Sequence, residues 1–513
     1  MTDLSPGLSG LSQRARAREE LQHGKFDVVV IGGGILGIAT TWAAARSGLR
    51  VALVESGDFA GATSSASSKL VHGGLRYLAM GPSAVPMVHE NHKERRALGD
   101  RLAPHLVRPL PFLVPVYKGG PHSRFVLGAG VTLYSALSGF GDGVGKVLSA
   151  RRAVEWVPDL RADGLRGAAM YYDHQMNDSR VAITAARAAA EAGAVLLNHI
   201  SVVGLRKTGA KVTGVDLRDS SGEFGVDAKV VVNATGPWLD VLRRMEDASA
   251  APSIRLSKGS HLVLRTSSEW KAALTIPVDD VRVSFAIPWE GHLLLGTTDE
   301  AYEGDPAQVA CTDADVDQIL GEAGVAVSGL DRSRIAYTFA GLRVLPGGPG
   351  DTSHAKRETV ITAGSGGMIS VAGGKWTTFR KIGATVLARV NSELGRTFDG
   401  ALDGVALPGS ASPDTVGSVL GHAWDTLPDD VVRHLATHYG TTSHEVVALG
   451  LENPALLERV HPDGPDIWAQ VEHARRTEWA SEVDDVLRRR TTVMVRGLDS
   501  PEVRSRVSEL LAS

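Results

Sequence analysis

Four residues in this sequence have side chains suited to chemistry and stand beside glycines: His72 in HGGLRYL, His261 in KGSH, Arg343 in FAGLRVLP and Lys375 in GGKWTT. An imidazole titrates near working pH and can take up or release a proton. A guanidinium grips two oxygens of a phosphate through its forked donors, and Arg76, Tyr77 and Lys258 can add further donors. Glycine beside such groups lets backbone approach a ligand closely. A third feature supplies a larger anion site: Gly32, Gly34 and Gly37 complete G-x-G-x-x-G in FDVVVIGGGILG. Proton transfer beside a bound anion and a dinucleotide are the chemistry these residues describe.

The elements that must position them follow from the pattern. Val28 to Ile31 form an apolar run expected of a parallel strand buried on both faces. Ile35 to Arg46 read as the following helix, Gly48 stops it, and RVALVE returns as a second strand ending in Glu55. In that frame Gly32 permits the tight turn, Gly34 lets the chain approach a pyrophosphate and Gly37 lets helix pack on strand. The helix N-terminus offers free N–H groups to the anion. Glu55 is placed to accept hydrogen bonds from ribose hydroxyls. The motif alone does not separate NAD from FAD.

Composition narrows the class. A chain of 513 residues is too long for one ordinary core, so two or three domains are expected. The net charge of −4 and 5% aromatic residues argue against a nucleic-acid binder. A single cysteine, Cys311, excludes an intrachain disulfide and a Cys-rich metal centre, and fits a reducing cytosol. No apolar run is long enough to span a membrane, and residues 1–25 lack the apolar core of a signal peptide. They read as a flexible N-terminal extension with one or two helical turns.

Further along, residues 59–78 are rich in small hydroxyl residues and glycine, as in a loop that follows the ribose acid. Residues 83–102 look helical; His89 and His92 there read as a solvated face rather than metal ligands. Residues 111–140 are the most apolar stretch outside the nucleotide fold. A helix over Val126 to Leu137 is expected either to be buried or to dip into a membrane interface, with Lys118, His122 and Arg124 at its rim. SRVAITAARAAAEAG reads as a helix, VVGLRKTG and KVTGVDLRD as a hairpin, and AKVVVNATGPW as a strand with its exit at Gly236. Residues 253–266 and 281–300 alternate like an antiparallel sheet. After the LPGSASPD linker the chain reads as helical, with Thr442 and Glu445 forming a capping-box pattern.

In order, TSSASSKLVHGGLRYL, VVNATGPW, LSKGSHLVL, FAIPW with LLGTTD, FAGLRVLP and GGKWTTFRK make the sequence resemble the FAD-dependent, quinone-linked, aerobic glycerol-3-phosphate dehydrogenases over roughly residues 26–500. The fold implied is α/β. A Rossmann-like FAD-binding domain of the glutathione-reductase/D-amino-acid-oxidase type occupies 26–80, 175–245 and 341–398. An inserted antiparallel β-sheet substrate or cap domain takes 81–174 and 246–340, and a C-terminal helical domain takes 407–513. The activity implied is oxidation of sn-glycerol 3-phosphate to dihydroxyacetone phosphate, with electrons passing through FAD to a membrane quinone. The implied location is cytoplasmic and peripheral on the inner face of the cell membrane, with a homodimer compatible.

Within the resemblance, His72 is the first candidate base and His261 the second, with Arg343 and Lys375 completing the catalytic set. Arg76, Tyr77, Lys258, Arg343 and Lys375 are expected to bind substrate. Gly32, Gly34, Gly37, Glu55, Ser64, Ser65, Ser67, Ser68, Lys69, Gly236, Gly373, Gly374, Lys375 and Thr377 are expected to hold the cofactor. No metal is expected. Two positions depart from the family pattern. Asn177 replaces an aspartate before a helix, which should alter capping rather than chemistry, and Val344 stands where a proline often follows the substrate arginine. A soluble glycerol-3-phosphate oxidase using oxygen and a flavin-dependent tRNA-modifying protein are the alternatives.

Overall fold

The strand Lys25–Ile31 lies in the middle of a sheet, parallel to Gly222–Asn233 on one side and to Val51–Val54 on the other. The computed structural model describes residues 10–75, 81, 85–119, 124–279, 282–347, 359–397, 402–420 and 427–512. The sheet runs Thr359–Ala363, Ile369–Gly373, Gly222–Asn233, Lys25–Ile31, Val51–Val54, Val195–Leu197. Only the first of these strands is antiparallel to its neighbour. Val28, Val29 and Val30 are fully buried, which is why the run is apolar throughout rather than alternating. Helices Ile35–Arg46, Asp178–Glu191 and Phe379–Glu393 contribute Ile38, Ala185 and Val386 to the core on this sheet. The expected hairpin, Ser201–Thr208 with Lys211–Asp219, extends from Gly222–Asn233.

A second, ten-stranded sheet carries the cap. Ile254–Arg265 pairs along its length with Ile335–Pro346 at one edge of the sheet, and Val107–Tyr117 pairs with Leu165–Met176. The expectation of a purely antiparallel sheet needs one correction, because Ala273–Pro277 runs parallel to Val107–Tyr117. The chain enters this sheet early, at Leu70–Val71, so the hydroxyl-rich loop bridges the two sheets.

Residues 10–23 also depart from expectation. The segment is a helix, Gly10–His23, tied down by an Arg18–Asp219 ion pair of 2.7 Å, by Arg14 on Asn198 and by a fully buried Leu21. Leu21 and Ala17 join the core beneath the sheet while the two cations hold the polar face of the helix. Helix Asp178–Glu191 is capped by Asn177, whose side chain accepts the Arg180 amide at 3.2 Å, as its position suggested.

The C-terminal region packs Val431, Leu435, Val446, Val471 and Val507 into a core of its own. The capping box expected of Thr442 and Glu445 does not form. Thr442 has helical backbone angles, and its hydroxyl donates back to the Tyr439 carbonyl at 2.7 Å. Glu445 is drawn instead to Arg187 and His473, each at 3.0 Å.

Candidate active site

A cavity of about 2150 Å³ runs between the two sheets, along the C-terminal ends of the parallel strands. Small-molecule pockets usually occupy about 300–1,000 Å³, so this one has room for a dinucleotide and a small substrate together.

At the nucleotide end, Gly32 adopts φ +105° where the chain leaves the first strand, a backbone conformation that disfavours any side chain. A Cβ on Gly37 would strike the Gly32 carbonyl. Gly34 faces the opening with only Ser64 Oγ near, 3.2 Å from where a Cβ would stand. Ser64 Oγ accepts the Ile35 amide at 2.8 Å, so a hydroxyl marks the anion position at the helix N-terminus. Glu55 accepts the Gly33 amide at 2.6 Å and the Gly57 amide at 2.8 Å, which fixes its carboxylate on the cavity wall. Gly236, at φ +55°, has open space where a Cβ would be, and Gly373 and Gly374 line the same wall at positive φ. This open, glycine-lined cradle fits FAD.

At the other end the two long cap strands bring the chemistry together. His261 is 3% exposed, its Nε2 lies 2.9 Å from Ser68 Oγ, and its ring stacks on Phe339 with centroids 4.9 Å apart. Burial, reinforced by Arg343 and Lys69, holds its pKa well below the usual histidine value, so the ring is neutral. Four positions along, Arg343 Nη2 donates to Thr297 Oγ1 at 2.8 Å and to the Thr298 carbonyl at 3.1 Å. Its Nη1 lies 3.4 Å from Asp299. Between His261 and Arg343 the ladder pairs Gly259 with Gly341. A Cβ on Gly259 would collide with the Arg343 guanidinium, and one on Gly341 would press on Ala66. Paired glycines in a strand mark a place where a ligand or another backbone comes close.

His72 faces the cavity from the bridging loop. The Thr377 hydroxyl stands between its backbone groups, 3.3 Å from the amide and 3.4 Å from the carbonyl. Lys375 also lines the cavity, with Nζ 3.1 Å from Met87 Sδ. Trp376 donates its ring N–H to the Ser64 carbonyl at 3.1 Å and thereby joins the final helix to the hydroxyl-rich loop.

Several expected site residues lie elsewhere. Lys69 is buried and spent on Asp178 at 2.7 Å and the Ser65 carbonyl at 2.8 Å, so it braces the loop. Lys258 pairs with Asp315 at 2.8 Å and Glu300 at 3.2 Å, away from the cavity wall. Both are strand or loop cations whose nearest carboxylate comes from a distant part of the chain. Ser65 is not on the cavity wall, whereas Ser67, bonded to Asp178 at 2.7 Å, and Ser68 are. Arg76 and Tyr77 lie outside the described residues. His92, far from a solvated face, is buried against Tyr134.

Two wall residues had not been assigned. Asp299, in the quoted LLGTTD block, was within reach of sequence reasoning through its match to that block. Asp173, in YYDH, carried no local signal. It is 4% exposed and accepts the Gly73 amide at 2.9 Å and Arg95 at 2.5 Å.

A glycine cradle on a parallel sheet, facing an imidazole and a guanidinium on a cap sheet, defines a dinucleotide-dependent oxidoreductase. Residues 27–380 match the family model described as FAD dependent oxidoreductase. Residues 372–513 match that of the C-terminal domain of alpha-glycerophosphate oxidase. The chain is 36% identical over 507 residues to glycerol-3-phosphate dehydrogenase 2 of Mycobacterium tuberculosis, covering 96% of this chain and 85% of the relative. It is 37% identical over 494 residues to the glycerol-3-phosphate dehydrogenase of Mycobacterium leprae, covering 95% and 84%. The structure of the Bacillus halodurans glycerol-3-phosphate dehydrogenase complexed with FAD superposes with a TM-score of 0.78 at 27% identity, covering 98% of this chain and 97% of that one. The chain belongs to the FAD-dependent glycerol-3-phosphate dehydrogenase family.

Proposed function

We propose that this enzyme oxidises sn-glycerol 3-phosphate to dihydroxyacetone phosphate and passes the electrons to a membrane quinone. The observation that carries the substrate assignment is the placement of Arg343 beside His261 across a glycine gap, on the wall facing Gly373 and Lys375. FAD, when bound, supplies the hydride acceptor. Arg343 binds the phosphate, with Thr297 and Asp299 holding the guanidinium in place. Lys375 adds a second positive charge. His72 takes the hydroxyl proton, held in place by Thr377. His261, buried, neutral and bonded to Ser68, orients the alcohol. The cap sheet keeps water from the site.

Membrane contact is supported by helix Arg124–Leu137 and the segment after it. Val126, Leu133, Phe140, Val144 and Val147 are exposed, and Val126, Leu127, Gly130, Val131 and Leu133 line the cavity. One apolar element thus touches both solvent and the reaction chamber, the arrangement a lipid-borne acceptor needs. No helix among the described residues is long and apolar enough to cross a membrane. Contact would be peripheral, on the inner face of the cell membrane.

The match of residues 372–513 to an oxidase C-terminal domain favours a second reading, with oxygen as acceptor. Anaerobic bleaching of the yellow protein by sn-glycerol 3-phosphate, but not by glycerol, tests the substrate. Reoxidation of the bleached protein by a short-chain quinone in preference to oxygen supports the dehydrogenase. Stoichiometric hydrogen peroxide would replace it with the oxidase.

A further inference from the structure

The order of strands gives the FAD groove a direction. Pyrophosphate belongs at Gly34, after the central strand, and ribose at Glu55, after the next strand outward. The adenosine therefore lies farther in the same direction, beside Val195–Leu197, while the ring lies the other way, toward Gly236 and Gly373. At the adenosine end one wall is the chain at 199–202. The opposing wall comes from the C-terminal region, through Glu482, Asp484, Asp485 and Arg489.

We propose that the segment Glu482–Arg489 forms the adenosine end of the FAD groove and makes the C-terminal region a cofactor-retaining part of the enzyme. The proposal rests on FAD as the cofactor and is independent of the substrate and the electron acceptor.

The segment is locked to the nucleotide fold at three points. Asp58, three residues after the ribose acid, is 4% exposed and receives Arg489 and both terminal nitrogens of Arg490, Nη2 at 2.8 Å. Asn198 bridges the two regions, donating to Asp58 at 3.1 Å and to the Trp479 carbonyl at 3.0 Å. Phe59 meets Trp479 edge to face, with centroids 5.3 Å apart. Buried ion pairs add little net stability, because desolvation offsets attraction. What this cluster supplies is a fixed position for the chain that carries Glu55.

A fourth contact reaches the groove itself. His199 Nε2 is bonded to Asp485 at 3.0 Å. The same Asp485 carboxylate accepts the amides of Ser481 and Glu482 at 3.0 and 2.9 Å, which sets the turn at Glu482. Glu482 stands at the rim with its side chain 67% exposed and Oε1 3.4 Å from His199 Nδ1. The Glu482 carboxylate there can accept from the donors an adenosine offers, its amino group and its hydroxyls, and His199 holds that carboxylate in place. Asp58, His199 and Asp485 also present ligand atoms within 4.8 Å of one another. Arg489 and Arg490 already neutralise Asp58, so the cluster serves as a clamp rather than a cation site.

The test is the rate of FAD release from the full-length holoenzyme on dilution, followed by the fluorescence of free flavin. Glu482→Ala and His199→Ala should each speed release about tenfold, the scale of one lost hydrogen bond to a charged group. The visible spectrum of the bound flavin should not change, because the ring lies at the far end. Glu482→Gln, a change at an exposed position that leaves folding intact, should speed release less than Glu482→Ala. Unchanged release in all three variants would overturn the proposal. So would faster release accompanied by a shifted flavin spectrum, the mark of general loosening. A parent protein that carries no flavin would instead remove the FAD assignment beneath it.

Discussion

The Tyr134 hydroxyl lies 2.8 and 3.0 Å from the two carboxylate oxygens of Asp173. Tyr134 belongs to the helix that exposes Val126 and Leu133, and Asp173 is the cavity-wall residue that holds the amide next to His72. Helix Arg124–Leu137 and the loop that carries His72 are therefore two hydrogen bonds apart. Tyr134→Phe should cost about 1–3 kcal/mol of stability, the range for a buried acceptor losing a donor, read by denaturant unfolding. It should also slow anaerobic flavin bleaching. Bleaching at the parent rate would make Asp173 a structural carboxylate only.

Arg343→Ala should lower kcat/KM for sn-glycerol 3-phosphate by the equivalent of about 2–5 kcal/mol, the scale for truncating one partner of a buried charged contact. Arg343→Lys should recover only part of that, because a single ammonium does not reproduce the fork. Parent-like kinetics in Arg343→Ala would place the phosphate elsewhere.

His72→Ala should slow flavin reduction while the purified protein keeps its FAD. Because the Thr377 hydroxyl bonds the backbone of His72, not its ring, the substitution leaves that anchor in place. Loss of flavin from His72→Ala would give that histidine a structural role.

Buried histidines with lowered pKa values, His92, His105 and His261 among them, weaken the fold in acid. Burial, with help from Arg95, depresses His92 to about 3, and burial with Arg180 depresses His105 to about 3. His261 is held well below its usual value in the same way. Each stays neutral in the fold, whereas the unfolded chain takes up protons near pH 6.5. Their contribution is complete above about pH 6.5 and is lost as pH falls below it, by at most about 1.4 kcal/mol per pH unit each. His199 has the opposite sign: against burial, its bond to Asp485 raises its pKa, and its contribution fades as pH rises. The melting temperature should therefore fall between pH 6.5 and 5. His105→Phe should flatten that fall, since neither His105 nitrogen has a hydrogen-bond partner among the described residues. An unchanged slope would exclude His105 as a contributor.

The parallel strands, the hairpin and the glycine cradle were legible because each follows from local pattern: burial on both faces, alternation, and turns that demand glycine. Arg343 and His261, picked out by their motif blocks, do come together on the cavity wall. Lys69 and Lys258 were misread because a lysine's role depends on which carboxylate the fold delivers, and Asp178 and Asp315 lie 109 and 57 residues away. Asp173 was invisible for the same reason, since its partners Arg95 and Tyr134 come from two separate helices. The docked helix at Gly10–His23 has a polar sequence that gave no hint of the few long-range contacts that fix it.

The facing glycines at 259 and 341 have a consequence for selectivity. Their missing side chains make room for the Arg343 guanidinium and for Ala66, so the span from imidazole to guanidinium is dictated by hydrogen-bonded register rather than by a mobile loop. With the proposed substrate, the sheet would act as a ruler, the alcohol at one end and the phosphate at the other. A slip of one residue would turn one of those ends away. Lengthening or shortening the carbon chain between hydroxyl and phosphate would then work against that fixed register.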